Sequence, residues 1–236
     1  VDNRLEWTVP SGKWKVYALH LSRNMGYHRS YINMMDERSC RILIDTVYEP
    51  HYERYKDDFG TTIAGFFSDE PELGNGHLYE GNTRFGTDVD FPWSESLENA
   101  LKETLGDEFV SKLPLLWEEE VDSDKKAKIR YAYMDQVTRL VEKNFSMQVG
   151  DWCRDHGVEY IGHLIEDNDQ HARTGSSLGH FYRGMAGQDM AGIDDIGGQV
   201  LPQGEDLNYD DGVFRKRDGS FYHYMLGKLG SSFAAI

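Results

Sequence analysis

Three short apolar runs in this chain end in, or contain, a pair of acids. Asp69 and Glu70 follow residues 62–67 (TIAGFF), Glu166 and Asp167 follow the core of residues 158–165 (VEYIGHLI), and Asp194 and Asp195 lie within residues 190–196 (MAGIDDI). Cleaving a glycosidic bond takes two carboxyl groups flanking that bond. One is protonated to aid the leaving oxygen, and the other is ionised as nucleophile or as base for water. Glu70 is the stronger candidate for the acid. An apolar strand delivering it, with Pro71 fixing the chain's exit, makes a rigid, partly dry position in which a carboxyl holds its proton to higher pH. Glu166 is the first candidate for its partner. The ordinary alternatives are a helix cap or surface acid for Glu70, a solvated loop acid for Glu166 beside Asp167 and Asp169, and caps for Asp194 and Asp195.

His163, three residues before Glu166, could hydrogen-bond a sugar hydroxyl or orient a carboxylate, and a satisfied core histidine is the alternative. The run His163, Glu166, Asp167, Asp169, His171 offers groups that suit zinc, manganese or iron. It lacks the helical His-Glu-x-x-His spacing of zinc proteases, so no resident transition metal is expected. Calcium on the acidic loops stays open, although Asp167-x-Asp169 has neither the glycine nor the closing glutamate of an EF-hand loop. The chain carries fourteen Tyr and five Trp, and several fall in expected loops or strand ends: Tyr79, Trp93, Tyr182, Tyr209 and Tyr222. Aromatic faces stack on sugar rings, and Trp93 and Tyr182 join Asp69, His163, Asp194 and Asp195 as candidate substrate contacts. Gly-rich stretches match neither dinucleotide nor phosphate-loop patterns, and no serine sits in a G-x-S-x-G context.

The elements that must position these residues follow from periodicity. Residues 5–21 contain two strand-like runs around Pro10-Ser11-Gly12 and predict a β-hairpin. Asp36 stands at an N-cap position before a helix with Cys40, Leu43, Ile44, Val47, Tyr48 and His51 at helical spacing, which Pro50 kinks and Gly60 ends. Residues 62–67 predict a strand buried on both faces. Residues 72–92 form a long loop rich in Gly, Asn and Asp, and residues 92–105 a helix capped by Ser94. A long amphipathic helix runs over about 125–156, with Ile129, Tyr133, Val137, Leu140, Val141, Asn144, Met147, Gln148 and Trp152 on one face and Gly157 closing it. Strands at 158–165 and 190–196 follow. Helices alternating with short apolar strands indicate parallel βα units in an α/β fold of the (β/α) TIM-barrel type. Only three or four units are visible where a closed barrel takes about 250 residues, so one barrel section over residues 1–236 is expected.

Composition narrows the function classes. The 236 residues carry 25 Lys and Arg against 41 Asp and Glu, a net charge of -16, which repels phosphate backbones and anionic membranes. No run approaches 18 apolar residues, and no export signal is visible. That favours the cytoplasm, unless the chain, whose start reads as mid-protein sequence, belongs to a longer exported parent. Cys40 and Cys153, far apart and outside any Cys-x-x-Cys pair, rule out a disulfide scaffold and a zinc ribbon.

The chain resembles the catalytic barrels of large bacterial glycoside hydrolases, and most closely the group around glycoside hydrolase family 106, the α-L-rhamnosidases. The likeness spans most of residues 5–235. It rests on Trp7-Thr8-Val9-Pro10-Ser11-Gly12-Lys13-Trp14, on Gly65-Phe66-Phe67-Ser68-Asp69-Glu70-Pro71, on Trp152-Cys153 through Gly162-His163, and on Gly192-Ile193-Asp194. It implies a carbohydrate substrate, a general acid at Glu70, and a partner at Glu166 or on a glutamate after residue 236. It also implies an inverting outcome and a calcium requirement, neither of which maps onto particular residues here. Apolar surfaces of an open barrel section would be covered by further parent-chain segments or by a second copy. Two rival readings stand beside this one. The first is a metal-dependent sugar isomerase or hydrolase using His163, Glu166 and Asp194; the second is a noncatalytic carbohydrate-binding fragment.

Overall fold

The computed structural model of the chain describes residues 6–22, 31–73, 90–118, 122–164, 177–194 and 224–235, with the backbone alone at 208–210 and 216–218. The fold is mixed α/β and predominantly helical. A parallel sheet of three strands, β1 (Gly65–Asp69), β2 (Glu159–His163) and β3 (Met190–Ala191), runs in the spatial order of the sequence. The register pairs Gly65 with Glu159 and Asp69 with His163, so β1 and β2 end level with one another. Ile161 pairs with Met190. Parallel neighbours need a crossover, and here it is helical.

The first helical stretch is α1 (Glu37–Leu43), a π turn (Ile44–Tyr48) and α2 (Glu49–Tyr55), without a break. Asp36 caps it by accepting from the Ser39 amide at 2.8 Å. Pro50, expected to kink the helix, sits in the first turn of α2 instead. Its missing N–H and its ring are accommodated where the π turn has already widened the ladder. Between β1 and β2 come α3 (Glu95–Leu105), a 3-10 segment (Phe109–Leu116), α4 (Ser123–Val141), a second π turn (Glu142–Met147) and α5 (Gln148–Asp155). Ser94 caps α3 through the Leu97 amide, as its position predicts. Gly157, at φ 72°, follows α5 where a C-capping glycine is expected. The two polar residues on the inner face of this long helix have partners. Asn144 donates to the Met35 carbonyl at 2.7 Å, and Gln148 donates to the Asn144 carbonyl at 2.9 Å. Beyond β2 lie α6 (Phe181–Met185), an antiparallel pair β4 (Asn208–Asp210) and β5 (Lys216–Asp218), and α7 (Leu226–Phe233).

One face of the sheet is packed. Phe66 stacks on Tyr48 at 4.4 Å and meets Trp152 edge-on at 5.7 Å, tying β1 to the first and fifth helical segments. Side chains alternate along a strand, so Phe67, Ile161 and Met190 share the opposite face. Phe67 and Met190 are each 59% exposed there. The helices approach the turn before β3 without side chains between them: a Cβ on Gly150 would lie 2.0 Å from the Gly187 carbonyl oxygen. Gly→Ala in a helix ordinarily stabilises by about 1 kcal/mol. At Gly150 the sign reverses, and Gly150→Ala is expected to lower stability by about 2 kcal/mol through that backbone clash. Denaturant unfolding checks it.

Three further expectations change. Residues 6–22 contain no strand and are exposed throughout, so the expected hairpin is absent; Trp7 and Trp14 meet edge-on at 5.5 Å, and the Trp14 indole donates to the Pro10 carbonyl. A lone two-stranded ribbon is marginal in water, and among the described residues no sheet receives it. The first strand extends to Asp69 rather than ending at Phe67. The third ends at Ala191, which leaves Asp194 beyond the strand and not within it. Among the described residues, no helix is long and apolar enough to cross a membrane.

Candidate active site

The parallel register sets Asp69 and His163 side by side as the last residues of adjacent strands. His163 is buried, and its Nε2 lies 2.9 Å from an Asp69 carboxylate oxygen while its Nδ1 lies 3.1 Å from the Leu164 carbonyl. Both partners are acceptors, so a ring protonated on both nitrogens satisfies both. Asp69 itself is largely exposed, its side chain 79% accessible.

Glu70 leaves the strand at φ 43°, the one non-glycine residue with positive φ among those described. For an L-residue this region is sparsely populated and costs of order 1 kcal/mol or more, a cost that structures tolerate where a side chain must be aimed. The turn brings the Glu70 carboxyl into a cluster with His163 and Asp194, in which one ligand atom from each lies within 4.8 Å of the others. Asp194 arrives from β3 by a close pass over β2. A Cβ on Gly192 would stand 2.0 Å from the Gly162 carbonyl oxygen, so this approach requires glycine.

Burial raises the pKa of Glu70. The His163 ring opposes this rise, and Asp69 and Asp194 add to it. The net direction is upward, toward a carboxyl that keeps its proton above the usual range. Glu72 was not anticipated from the sequence. It is 2% exposed, and burial, reinforced by the charge of Glu70, pushes its carboxyl up to about 8. A carboxyl whose pKa is raised by folding is bound more tightly to its proton in the folded state. Stability is therefore highest below the unfolded value near 4.5 and declines as pH rises from there to about 8. Glu72→Gln is expected to remove this decline and to stabilise the protein at pH 7 by about 1–3 kcal/mol, read from thermal midpoints across pH.

Of the other expected site residues, Trp93 stacks on Phe109 at 6.4 Å and meets Phe91 at 6.0 Å. Tyr182 contacts the rings of His180 and Phe181. Both pack against the core, and neither set of ring contacts includes a cluster residue. Glu166, Asp167, Asp169, His171, Asp195, Tyr79 and Tyr222, and the side chain of Tyr209, lie outside the described residues.

The cluster's spacing would let one cation touch all three ligand atoms. The donor set fits this poorly. His163 has both nitrogens directed at acceptors, and calcium takes six to eight oxygens where the described cluster supplies two carboxylates. The cluster thus sets a carboxyl of raised pKa beside a second carboxyl and a histidine. Compared with family models, curated proteins and solved structures, the chain matches none.

Proposed function

We propose that the chain is a (β/α)-barrel section of a glycoside hydrolase, of the kind the resemblance to the family 106 group implies, acting on complex glycans with Glu70 as general acid. The observation that carries the reading is the Glu70 carboxyl itself. It stands at the end of a parallel strand, where such folds gather their chemistry. It is turned out of line at φ 43°, is raised in pKa by burial, and lies beside His163 and Asp194. His163, held by Asp69, would hydrogen-bond sugar hydroxyls or the carboxylates around them. Further strands from parent-chain segments, or from a second copy, would cover the sheet face that exposes Phe67 and Met190, since parallel sheets are normally buried on both sides. The reading is tested by assaying the chain on a panel of aryl glycosides and plant oligosaccharides for release of reducing sugar. Reproducible turnover that Glu70→Gln removes supports it, and turnover unchanged by that substitution ends it.

The metal-dependent alternative draws on the spacing of the same three ligand atoms. Metal analysis of the purified protein separates the two. Two-carboxylate catalysis predicts no stoichiometric transition metal, whereas a metal-dependent isomerase requires one and holds it through purification.

A further inference from the structure

We infer that His163 stands as a doubly protonated imidazolium at neutral pH and serves as a positioning residue, the fixed positive charge that limits how tightly Glu70 holds its proton. The inference deepens the glycosidase reading, on which its catalytic meaning rests, and its first readout needs no substrate.

The surroundings of the ring carry it. An unconstrained imidazole is mostly neutral at about pH 7.5, and then one nitrogen donates while the other accepts. His163 offers no place for an accepting nitrogen. Its Nε2 faces an Asp69 carboxylate oxygen at 2.9 Å, and its Nδ1 faces the Leu164 carbonyl at 3.1 Å. A backbone carbonyl never donates, so either neutral tautomer would set a ring lone pair against an oxygen lone pair. On an open surface, water would turn to suit either tautomer. The His163 side chain is only 7% accessible, and the Phe67 ring lies 5.8 Å from its own.

The charge has company that offsets its burial. Asp69 at the end of β1, Glu70 in the turn after it and Asp194 beyond β3 all face the ring. At Glu70, burial and the charges of Asp69 and Asp194 act upward, and His163 is the cation that opposes them. Glu72, in turn, is pushed up to about 8 by burial and by the charge of Glu70. An acid that holds its proton too tightly is a poor donor to a leaving oxygen, and the most effective one titrates near the working pH. A fixed cation beside Glu70 moderates the rise that burial imposes.

The test titrates the wild-type protein, with isotope-labelled histidine and glutamate side chains, by nitrogen and carbon NMR. Both ring nitrogens of His163 are expected to carry protons at about pH 7.5, seen as nitrogen shifts that lie close together rather than split as in a neutral tautomer. Its signal among the nine histidines is assigned by its loss in His163→Gln. In that variant the midpoint of the Glu70 carboxyl signal, itself assigned by its loss in Glu70→Gln, is expected to move to higher pH. The alkaline limb of kcat/KM on an unactivated glycoside is expected to move with it. A merely structural role would lower the rate at every pH and leave both midpoints in place. A neutral His163 ring at that pH, or a Glu70 midpoint unmoved or lowered in the variant, overturns the inference and leaves the glycosidase reading standing. Absence of turnover on every glycoside tested ends the glycosidase reading, while the two NMR results still decide the charge and its effect on Glu70. Should His163→Gln fail to fold, His163→Asn replaces it in the titration, and the wild-type ring is assigned through its Cβ correlations.

Discussion

Glu70→Gln is expected to cut hydrolysis of unactivated glycosides by a factor of roughly a thousand or more, with little change in thermal midpoint. General acid catalysis contributes about a hundred- to ten-thousandfold where the leaving oxygen needs a proton. Glutamine keeps the size of the side chain and can donate a hydrogen bond, but it cannot deliver a proton. The deficit should therefore depend on the leaving group. Nitrophenolates leave with little help, so aryl glycosides with acidic phenols should lose much less rate than alkyl glycosides or oligosaccharides. A variant that lost rate uniformly across leaving groups would point to a binding or folding role for Glu70. The fold is expected to survive because Glu70 lies outside the hydrophobic core, and relief of a half-buried, pKa-raised carboxyl does not cost stability.

The second large effect is structural and acts on the same site. Gly162 lies in β2 at φ 156°, and a Cβ there would stand 2.1 Å from the Ser68 carbonyl oxygen of the paired strand. Gly162→Ala is expected to cost about 3 kcal/mol, from strain in a region that L-residues rarely adopt and from a clash with backbone that cannot swing away. Because Ser68 and Gly162 precede Asp69 and His163 in register, the variant should also part the Asp69–His163 contact. Loss of stability in denaturant together with loss of turnover is the expected result. Turnover lost without any change in stability would place the effect elsewhere.

Much of this arrangement could be read from local pattern. The apolar runs before Asp69 and around Tyr160 are strands because they are short, bounded by glycine and acid, and separated by long helical periodicity. Asp36 and Ser94 act as caps because their side chains reach amides three residues on, a relation written in neighbouring residues. The hairpin expected over residues 5–21 failed for the opposite reason. Its Trp and Pro-Ser-Gly pattern describes a ribbon's local preference, and a ribbon persists only where a sheet receives it. Likewise, aromatic identity does not distinguish a stacking platform from a packed ring, so Trp93 and Tyr182 could not be told from core partners.

The cluster was only half legible. Glu70 follows from its strand and from Pro71, but Asp194 reaches it through a glycine contact with the Gly162 carbonyl that no sequence spacing encodes. Glu72 was hidden because its burial is tertiary. It lies on a segment held by the Leu73 amide donating to the Ser177 carbonyl, over a hundred positions away along the chain. The left-handed turn at Glu70 was equally invisible, since only the surrounding contacts can hold a glutamate there.

The pH dependence of kcat/KM on an unactivated glycoside, measured side by side for the wild type and Glu70→Gln, tests the central claim most directly. A general acid works only while protonated, so the wild-type rate is predicted to fall as pH rises through a midpoint above the ordinary glutamate value of about 4.5. The residual rate of Glu70→Gln is predicted to lack that alkaline limb. An alkaline limb of the same midpoint in both proteins would contradict the assignment of Glu70 as the acid.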